Sequence, residues 1–436
     1  MNALVNPGAL AGTIRAIPSK SEAHRALICA AFADAPTRII CPASSDDIDA
    51  TIGCLEALGA RIVRDGAGFT VEPLEHGGDP ARVLDCRESG STLRFLLPVA
   101  AAVGGACLTG SARLSERPLG PLVAALRAHG AAIDTDGALP LTVSGELAPG
   151  VFELPGNVSS QYITGILLAA PLIGGASEVR VSEPIESRPY IALSLDVLHA
   201  FGVDAQIVLE DACTSYLLPA QASYRSPGAF EVGGDWSNAA FWLAAGALSD
   251  VGVEVEGLSP SSKQADRAVI GALALFGAQV ARGGRSAAAR RDTLRGARID
   301  VSSCPDLVPA IAPLAALAKG RSEIAGAGRL RLKESDRLAA IADVLGSIGA
   351  HVSIEGDALV FDGVKRLHGG TVDAHNDHRI AMAAAVAATR ADDVVTITGA
   401  QAVRKSYPTF FDDYRRLGGA ARVDGADPNG AAGEEA

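Results

Sequence analysis

One pattern recurs along this chain with a period of about 70 residues, and that period constrains the fold more than any other feature. Each copy opens with a helix start at Ser or Asp and an Ala-rich run. A second helix then closes on Leu-x-x-x-Gly (Tyr414 replaces the leucine in the last copy), and a strand follows. The helix starts fall near Ser19, Ser89, Ser159, Ser237, Asp306 and Asp377. The second helices end near Gly59, Gly130, Gly202, Gly277, Gly349 and Gly418, where glycine supplies a left-handed cap. The repeat therefore lines up six helix N-termini, the ends that favour anions.

At 436 residues the chain exceeds one ordinary core, and six copies divide into two halves of three. Hydrophobic periods alternate within each copy. LDCRESGSTLRFLLPVAAAVGG reads as a strand end, a Gly/Ser turn and a helix. GPLVAALRAHGAAIDTD reads as an amphipathic helix, a Gly cap and a strand. The first helix of each copy, such as LVPAIAPLAALA, is apolar nearly all round and must be buried. Aromatics make up only 4%, so Ala and Gly carry the interior and helices can pack closely. The expected fold is α/β, with two similar domains, each of three βαβαββ units. Buried Ala-rich helices lie inside and sheets outside, an inside-out α/β barrel. The domains are expected at 18–230 and at 1–17 plus 231–424, so that the chain crosses twice. The Gly/Ala/acid tail at 425–436 is expected to be disordered.

A net charge of −12 argues against nucleic acid or an anionic membrane surface as partner. The basic run at 282–298 is the local exception and reads as a solvated hairpin loop. No apolar stretch is long enough to span a membrane, and MNALVNPGALAG lacks the pattern of a signal peptide. The seven Cys are odd in number and lack C-x-x-C spacing. A reduced, cytoplasmic protein with inert thiols is expected.

The helix starts differ between the halves. In the first they carry Ser19-Lys20-Ser21 with Arg25, Ser89-Gly90-Ser91 with Arg94, and Ser159-Ser160-Gln161. Hydroxyls, a glycine and cations at helix N-termini suit a phosphate. In the second they carry Gly234-Asp235-Trp236-Ser237, Pro305-Asp306 and Asp377-His378-Arg379, a set of carboxylates, a His and an Arg. Ser and Asp are also the commonest N-caps, so each alone reads as a structural cap. The coincidence carries more weight. An acidic chain sets Lys20, Arg25, Arg117, Lys333, Arg337, Arg379 and Lys405 at turns bounding buried helices rather than on amphipathic faces.

Ten segments in register with this repeat resemble one family. They are IPSKSEAHRALI, ESGSTLRFL, ERPLGPL, SSQYITGILLA, SRPYI, GDWSNAAFWL, PDLVPAIA, LRLKESDRL, NDHRIAMA and RKSYPTF, spanning about Pro18 to Phe410. Together they are similar to the enolpyruvyl transferases, and within these to the 5-enolpyruvylshikimate-3-phosphate synthases. The resemblance implies two domains closing on the substrates. It implies transfer of the enolpyruvyl group of phosphoenolpyruvate to the 5-hydroxyl of shikimate 3-phosphate with release of phosphate, by addition and elimination. No metal or organic cofactor is implied, and none of the corresponding motifs is present. A monomer acting on small molecules, without nucleic acid or membrane, is expected, and glyphosate is the family's inhibitor.

The resemblance also implies roles. Lys20, Ser21, Arg25, Ser159, Ser160, Gln161, Ser187, Asp306 and Lys333 would hold shikimate 3-phosphate. Lys20, Gly90, Arg117, Gln161, Arg337, Arg379 and Lys405 would hold phosphoenolpyruvate. Asp306 would be the base, with Glu334, Lys20 and His378 as candidate proton donors. For Glu334 a plain salt bridge to Lys333 or Arg337 competes with that role, and for His378 a supporting hydrogen bond does. Glu88 and Arg329 stand where the family often has Asn, so they carry no role. The related enzymes that use UDP-N-acetylglucosamine carry a reactive Cys where this chain has Ala112.

Overall fold

The structure, a computed structural model, describes residues 1–75, 79–135 and 137–424. The tail expected at 425–436 lies outside the described residues. The chain divides into two compact units. The first comprises Ile17–Trp236 and Ser259–Ala265, and the second comprises Met1–Ala16, Ser237–Leu258 and the chain from Asp266 onward.

The twelve helices of the repeat are, in chain order, α1 (Lys20–Ala31), α2 (Asp46–Leu58), α3 (Gly90–Ala102), α4 (Gly120–Ala128), α5 (Ser160–Ala169), α6 (Arg188–Ala200), α7 (Trp236–Ala247), α8 (Val269–Leu275), α9 (Val308–Leu317), α10 (Arg337–Ser347), α11 (His378–Ala388) and α12 (Phe410–Arg416). Among the described residues the strands form six four-stranded sheets, three per unit. One sheet gives the rule. Strands Val83–Asp85 and Ala106–Thr109 run parallel, joined through α3. Ala132–Asp134 and Leu141–Ser144 follow α4 and complete the sheet with antiparallel pairing. This is the βαβαββ unit.

Three sheets recruit strands from far along the chain. Asn2–Val5 lies between Val395–Thr398 and Ala421–Asp424, and Gly12–Arg15 pairs in parallel with Val253–Glu256. In the first unit Ala229–Glu231 pairs with Thr37–Ile40. The N-terminal segment thus supplies two strands to two different sheets.

Helices α9 and α11 are buried almost throughout, whereas strands such as Val151–Pro155 alternate between buried and exposed residues. The helices therefore form the interior of each unit and the sheets keep one face outward. Close packing depends on small residues. On α5, a Cβ at Gly165 would lie 2.2 Å from the Arg94 carbonyl oxygen of α3.

The second-helix glycines all adopt positive φ, for example +117° at Gly59 and +91° at Gly349. The next residue's N–H reaches back to a carbonyl of the last turn, as from Ala60 to Leu55 at 3.0 Å and from Ala350 to Leu345 at 2.9 Å. This is a Schellman cap, which a Cβ would strain.

The helix starts follow their caps with two exceptions. Ser19, Ser89, Ser159 and Asp377 accept the N–H of Glu22, Thr92, Gln161 and Arg379. Helix α7 begins at Trp236, one residue before Ser237. The fifth start is a 3-10 turn, Pro305–Leu307, ahead of α9, and no side chain caps either element. The Asp306 carboxylate is thereby left for other partners.

The basic run holds the expected hairpin, in which Gln279–Arg282 pairs with Ser286–Arg290, but the hairpin is part of a sheet rather than a solvated loop. Ser286–Arg290 is a strand paired with Val253–Glu256, and Arg291 pairs with Asp250 at 2.6 Å. All seven cysteines are free thiols, five of them buried. Burial pushes Cys41 and Cys304 up to about 12, which makes them poor nucleophiles. No helix among the described residues is long and apolar enough to cross a membrane.

Candidate active site

In the first unit, cations gather at the N-terminal ends of α1, α3, α5 and α6. Lys20 opens α1; its Nζ lies 2.6 Å from Asp47 Oδ2 on α2, and its backbone N–H donates to Asp235 at 3.1 Å. Arg25 is one turn and a residue further along α1 and is buried. Its Nε donates to Ser194 Oγ at 2.8 Å, and its other nitrogens meet Ser21 O, Tyr190 O and Thr164 Oγ1. The guanidinium carbon sits 4.8 Å from the centre of the Phe95 ring. Every one of these partners is neutral. Burial pushes Arg25 down to about 10, so it still carries its charge at neutral pH.

Arg117 is more exposed to that argument still. It is buried, and its guanidinium lies across the first residue of α3 so closely that a Cβ at Gly90 would be 2.3 Å from Nη1. Its Nε is buried with no hydrogen-bond partner among the described residues. A buried cation without compensation is costly, and an arriving anion would relieve that cost. Gln161 stands nearby in the same network, accepting from Arg94 Nη1 at 2.7 Å and donating to Ser91 at 2.9 Å. Ser160 is buried in the first turn of α5, next to the cap Ser159. Ser187 precedes α6 at φ +54°, a left-handed conformation unusual for serine. The same helix supplies the Tyr190 and Ser194 oxygens to Arg25.

In the second unit, Arg337 is the hub and is 1% exposed. Its Nε and Nη2 donate to the two oxygens of Asp377 at 2.7 and 3.1 Å, its Nη1 donates to Asp306 at 2.9 Å, and Glu334 approaches Nη2 at 2.7 Å. Burial opposes its charge, but Asp377, Glu334 and Asp306 outweigh that and hold it above the usual arginine range. Lys333 Nζ lies 3.1 Å from Asp306 Oδ1. Arg379 donates to the Asp306 carbonyl at 2.9 Å and comes within 3.8 Å of its carboxylate. Burial would raise the Asp306 pKa, but Lys333, Arg379 and Arg337 together hold it well below the carboxylate range. Burial pushes Lys333 down to about 8, with Asp306 resisting and Arg329 and Arg337 assisting. Lys405 is buried and donates to the Asn376 carbonyl at 2.5 Å. His378 is buried with Nδ1 3.8 Å from Asp377 Oδ1.

The sequence candidates therefore form two clusters. Lys20, Ser21, Arg25, Gly90, Arg117, Ser159, Ser160, Gln161 and Ser187 belong to the first unit. Asp306, Lys333, Glu334, Arg337, His378, Arg379 and Lys405 belong to the second. Glu334 keeps its salt bridge to Arg337. Two members escape the sequence reading, and a third, Asp377, appears there only as a helix start. Asp47 sits among the acids of the first turn of α2, where carboxylates complement any helix dipole. Asp377 reads as a cap and is also the main partner of Arg337. Ser335 donates to the same Asp377 at 3.0 Å.

The chain is similar to other proteins over nearly its whole length. A family model described as EPSP synthase (3-phosphoshikimate 1-carboxyvinyltransferase) matches residues 4–414. A 3-phosphoshikimate 1-carboxyvinyltransferase of Clostridium kluyveri is 38% identical over 95% of this chain and 97% of its own. One from Methanocorpusculum labreanum is 37% identical over 96% of this chain and 99% of its own. The solved EPSP synthase of Acinetobacter baumannii superposes with a TM-score of 0.78 at 27% identity, covering 97% of this chain and all of that one. Helix starts, buried cations and whole-length similarity agree, and the chain belongs to the EPSP synthase (3-phosphoshikimate 1-carboxyvinyltransferase) family.

Proposed function

We propose that this protein transfers the enolpyruvyl group of phosphoenolpyruvate to the 5-hydroxyl of shikimate 3-phosphate and releases phosphate. The observation that carries the reading is the pair of buried arginines in the first unit, Arg25 and Arg117, which lack a carboxylate partner among the described residues. Such groups suit polyanionic substrates, and bidentate guanidinium suits phosphate and carboxylate.

In this reading Ser21, Arg25, Ser159, Ser160, Gln161 and Ser187 hold shikimate 3-phosphate, while Lys20 touches both substrates. Gly90 and Arg117 hold phosphoenolpyruvate, with Gln161, Arg337, Arg379 and Lys405. Asp306 takes the proton of the attacking hydroxyl, and Lys333 steadies the acceptor. Ringed by cations, Asp306 is ionised but weakly basic. An anionic substrate that draws on Arg379, Lys333 and the Arg337 N–H groups not used by Asp377 and Asp306 would raise its basicity at the moment of reaction. Addition also needs a proton for the methylene carbon, and Glu334, Lys20 and His378 are the candidates. The same cations would stabilise the leaving phosphate.

The test is phosphate release from phosphoenolpyruvate with shikimate 3-phosphate and UDP-N-acetylglucosamine as parallel acceptors. Release with shikimate 3-phosphate alone is expected. Release with the nucleotide sugar alone, or with neither, overturns the assignment.

A further inference from the structure

Behind Lys20 lies a chain of buried hydroxyls that the proposed chemistry does not use. His24 Nδ1 lies 2.7 Å from Thr51 Oγ1, Thr51 Oγ1 lies 2.7 Å from Thr92 Oγ1, and Thr92 Oγ1 lies 2.7 Å from Ser89 Oγ. His24, Thr51 and Thr92 are wholly buried and Ser89 nearly so. The four side chains come from α1, α2 and the start of α3. Each link sits about one helical turn behind a group at the candidate site. His24 follows Lys20 by four residues, Thr51 follows Asp47 by four, and Thr92 follows Ser89 by three. The Lys20–Asp47 ion pair and the His24–Thr51 hydrogen bond are thus two rungs between the same two helices.

The protons can be counted along the chain. Ser89 Oγ already accepts the N–H of Thr92 at 3.2 Å and, in the direction its geometry favours, the Thr92 hydroxyl. Thr92 then accepts from Thr51, and Thr51 accepts from His24. His24 must carry its proton on Nδ1. The reverse direction would leave an N–H on Nε2, which is buried and has no partner among the described residues. Burial, with Lys20 and Arg25 nearby, also disfavours an imidazolium. A buried polar chain of this kind is expensive compared with apolar packing and fixes one arrangement of the helices that share it.

We propose that His24, Thr51 and Thr92 are positioning residues that fix the register of α1, α2 and α3, and so hold Lys20 against Asp47 in the geometry used for substrate binding. The functional half of this inference rests on the reading of Lys20 given above; the hydrogen-bond half does not.

A double-mutant cycle tests the first half. His24→Leu is expected to lower kcat/KM about tenfold in the native background and by less than twofold in Lys20→Met, because both act through one group. Thr51→Val, which removes one hydroxyl at constant shape, repeats the cycle should His24→Leu not fold. His24→Asn, which keeps an N–H near the Nδ1 position, is expected to restore most of the loss. Equal losses in both backgrounds, or an unaffected kcat/KM, overturn the proposal. Nitrogen NMR of the His24 ring tests the second half without any turnover. A neutral Nδ1–H tautomer that does not titrate between about pH 5 and 8 is expected. An Nε2–H tautomer, or an ordinary histidine titration, overturns the relay. A native enzyme that binds and turns over neither substrate, yet shows the Nδ1–H signature, would refute the function and leave the relay standing.

Discussion

The two units use one helix-start grammar and reach opposite electrostatic states. In the first, Arg25 hydrogen-bonds only to neutral oxygens, with the Glu22 carboxylate acting on it from further off, and Arg117 Nε is buried with no hydrogen-bond partner among the described residues. In the second, Arg337 is buried among three carboxylates, Asp377, Asp306 and Glu334. The cause is which residue opens the buried helices. Serine caps satisfy the N–H groups of α1, α3 and α5 without adding charge; Lys20 finds its counter-ion on α2, and Arg25 and Arg117 hydrogen-bond to no carboxylate among the described residues. The Asp377 cap and the uncapped Asp306 bring carboxylates that neutralise their neighbours. An anion can enter the first environment by relieving a desolvated charge. In the second it must share cations with acids, and sharing changes how tightly those acids hold protons. For the proposed reaction, the first environment thus favours anion binding alone, whereas the second couples anion binding to proton transfer.

Removing Asp306 breaks this contrast most directly. Asp306→Ala takes one carboxylate away from Lys333 and from Arg337, leaving Asp377 and Glu334 on that arginine. Turnover is expected to fall by about three orders of magnitude, the scale of a lost general base. Binding of phosphoenolpyruvate should hold or tighten, since a competing carboxylate is gone. Steady-state kinetics beside equilibrium titration separates the two effects. Near-normal turnover would move the base to Glu334.

The matching probe in the first unit is Gly90→Ala. The added methyl would overlap Arg117 Nη1 at 2.3 Å, and what it meets is the far end of a flexible side chain. The guanidinium must swing away, so folding survives while the anion site loses its shape. KM for phosphoenolpyruvate is expected to rise on the order of tenfold, with kcat changed less, because an interaction common to ground and transition state is weakened. An unchanged KM would mean that Arg117 does not meet this substrate.

The architecture was legible because the repeat marks its own joints. Leucine four residues before glycine identifies most of the helix ends, and every one of those glycines has positive φ. Four of six helix starts coincide with the Ser or Asp that caps them. What escaped is non-local. Asn2–Val5 and Gly12–Arg15 complete sheets whose other strands lie more than two hundred residues away, and strand propensity does not name a partner. At the site, cations were easier to find than their counter-ions. Lys20 stands out in an acidic chain, but Asp47 is one of three acids in a first helical turn, and nothing local marks which one turns toward Lys20. Asp306, Glu334 and Asp377 come from two turns and a cap, and only the packing of α10 brings all three onto Arg337.

The smallest expected effect compares the units by pH. Lys333 lies near 8 rather than at the ordinary 10.5 because it is buried, with Asp306 and Glu334 opposing the shift and Arg329 and Arg337 adding to it. It is charged below that pH and neutral above it, so the free enzyme loses one second-unit cation as pH rises through about 8. Arg25, near 10, stays charged over the same range. Thus kcat/KM for shikimate 3-phosphate is expected to fall a few-fold above pH 8 through the second unit alone. Lys333→Arg, which keeps its charge, should carry the plateau at least one pH unit higher. Stability should move the other way. A lysine with a depressed folded pKa binds fewer protons folded than unfolded between about 8 and 10.5, so this group makes unfolding harder as pH rises through that window. Affinity and stability that fell together would point to general loosening of the fold, whereas opposite slopes that vanish in Lys333→Arg would assign both to this one ammonium.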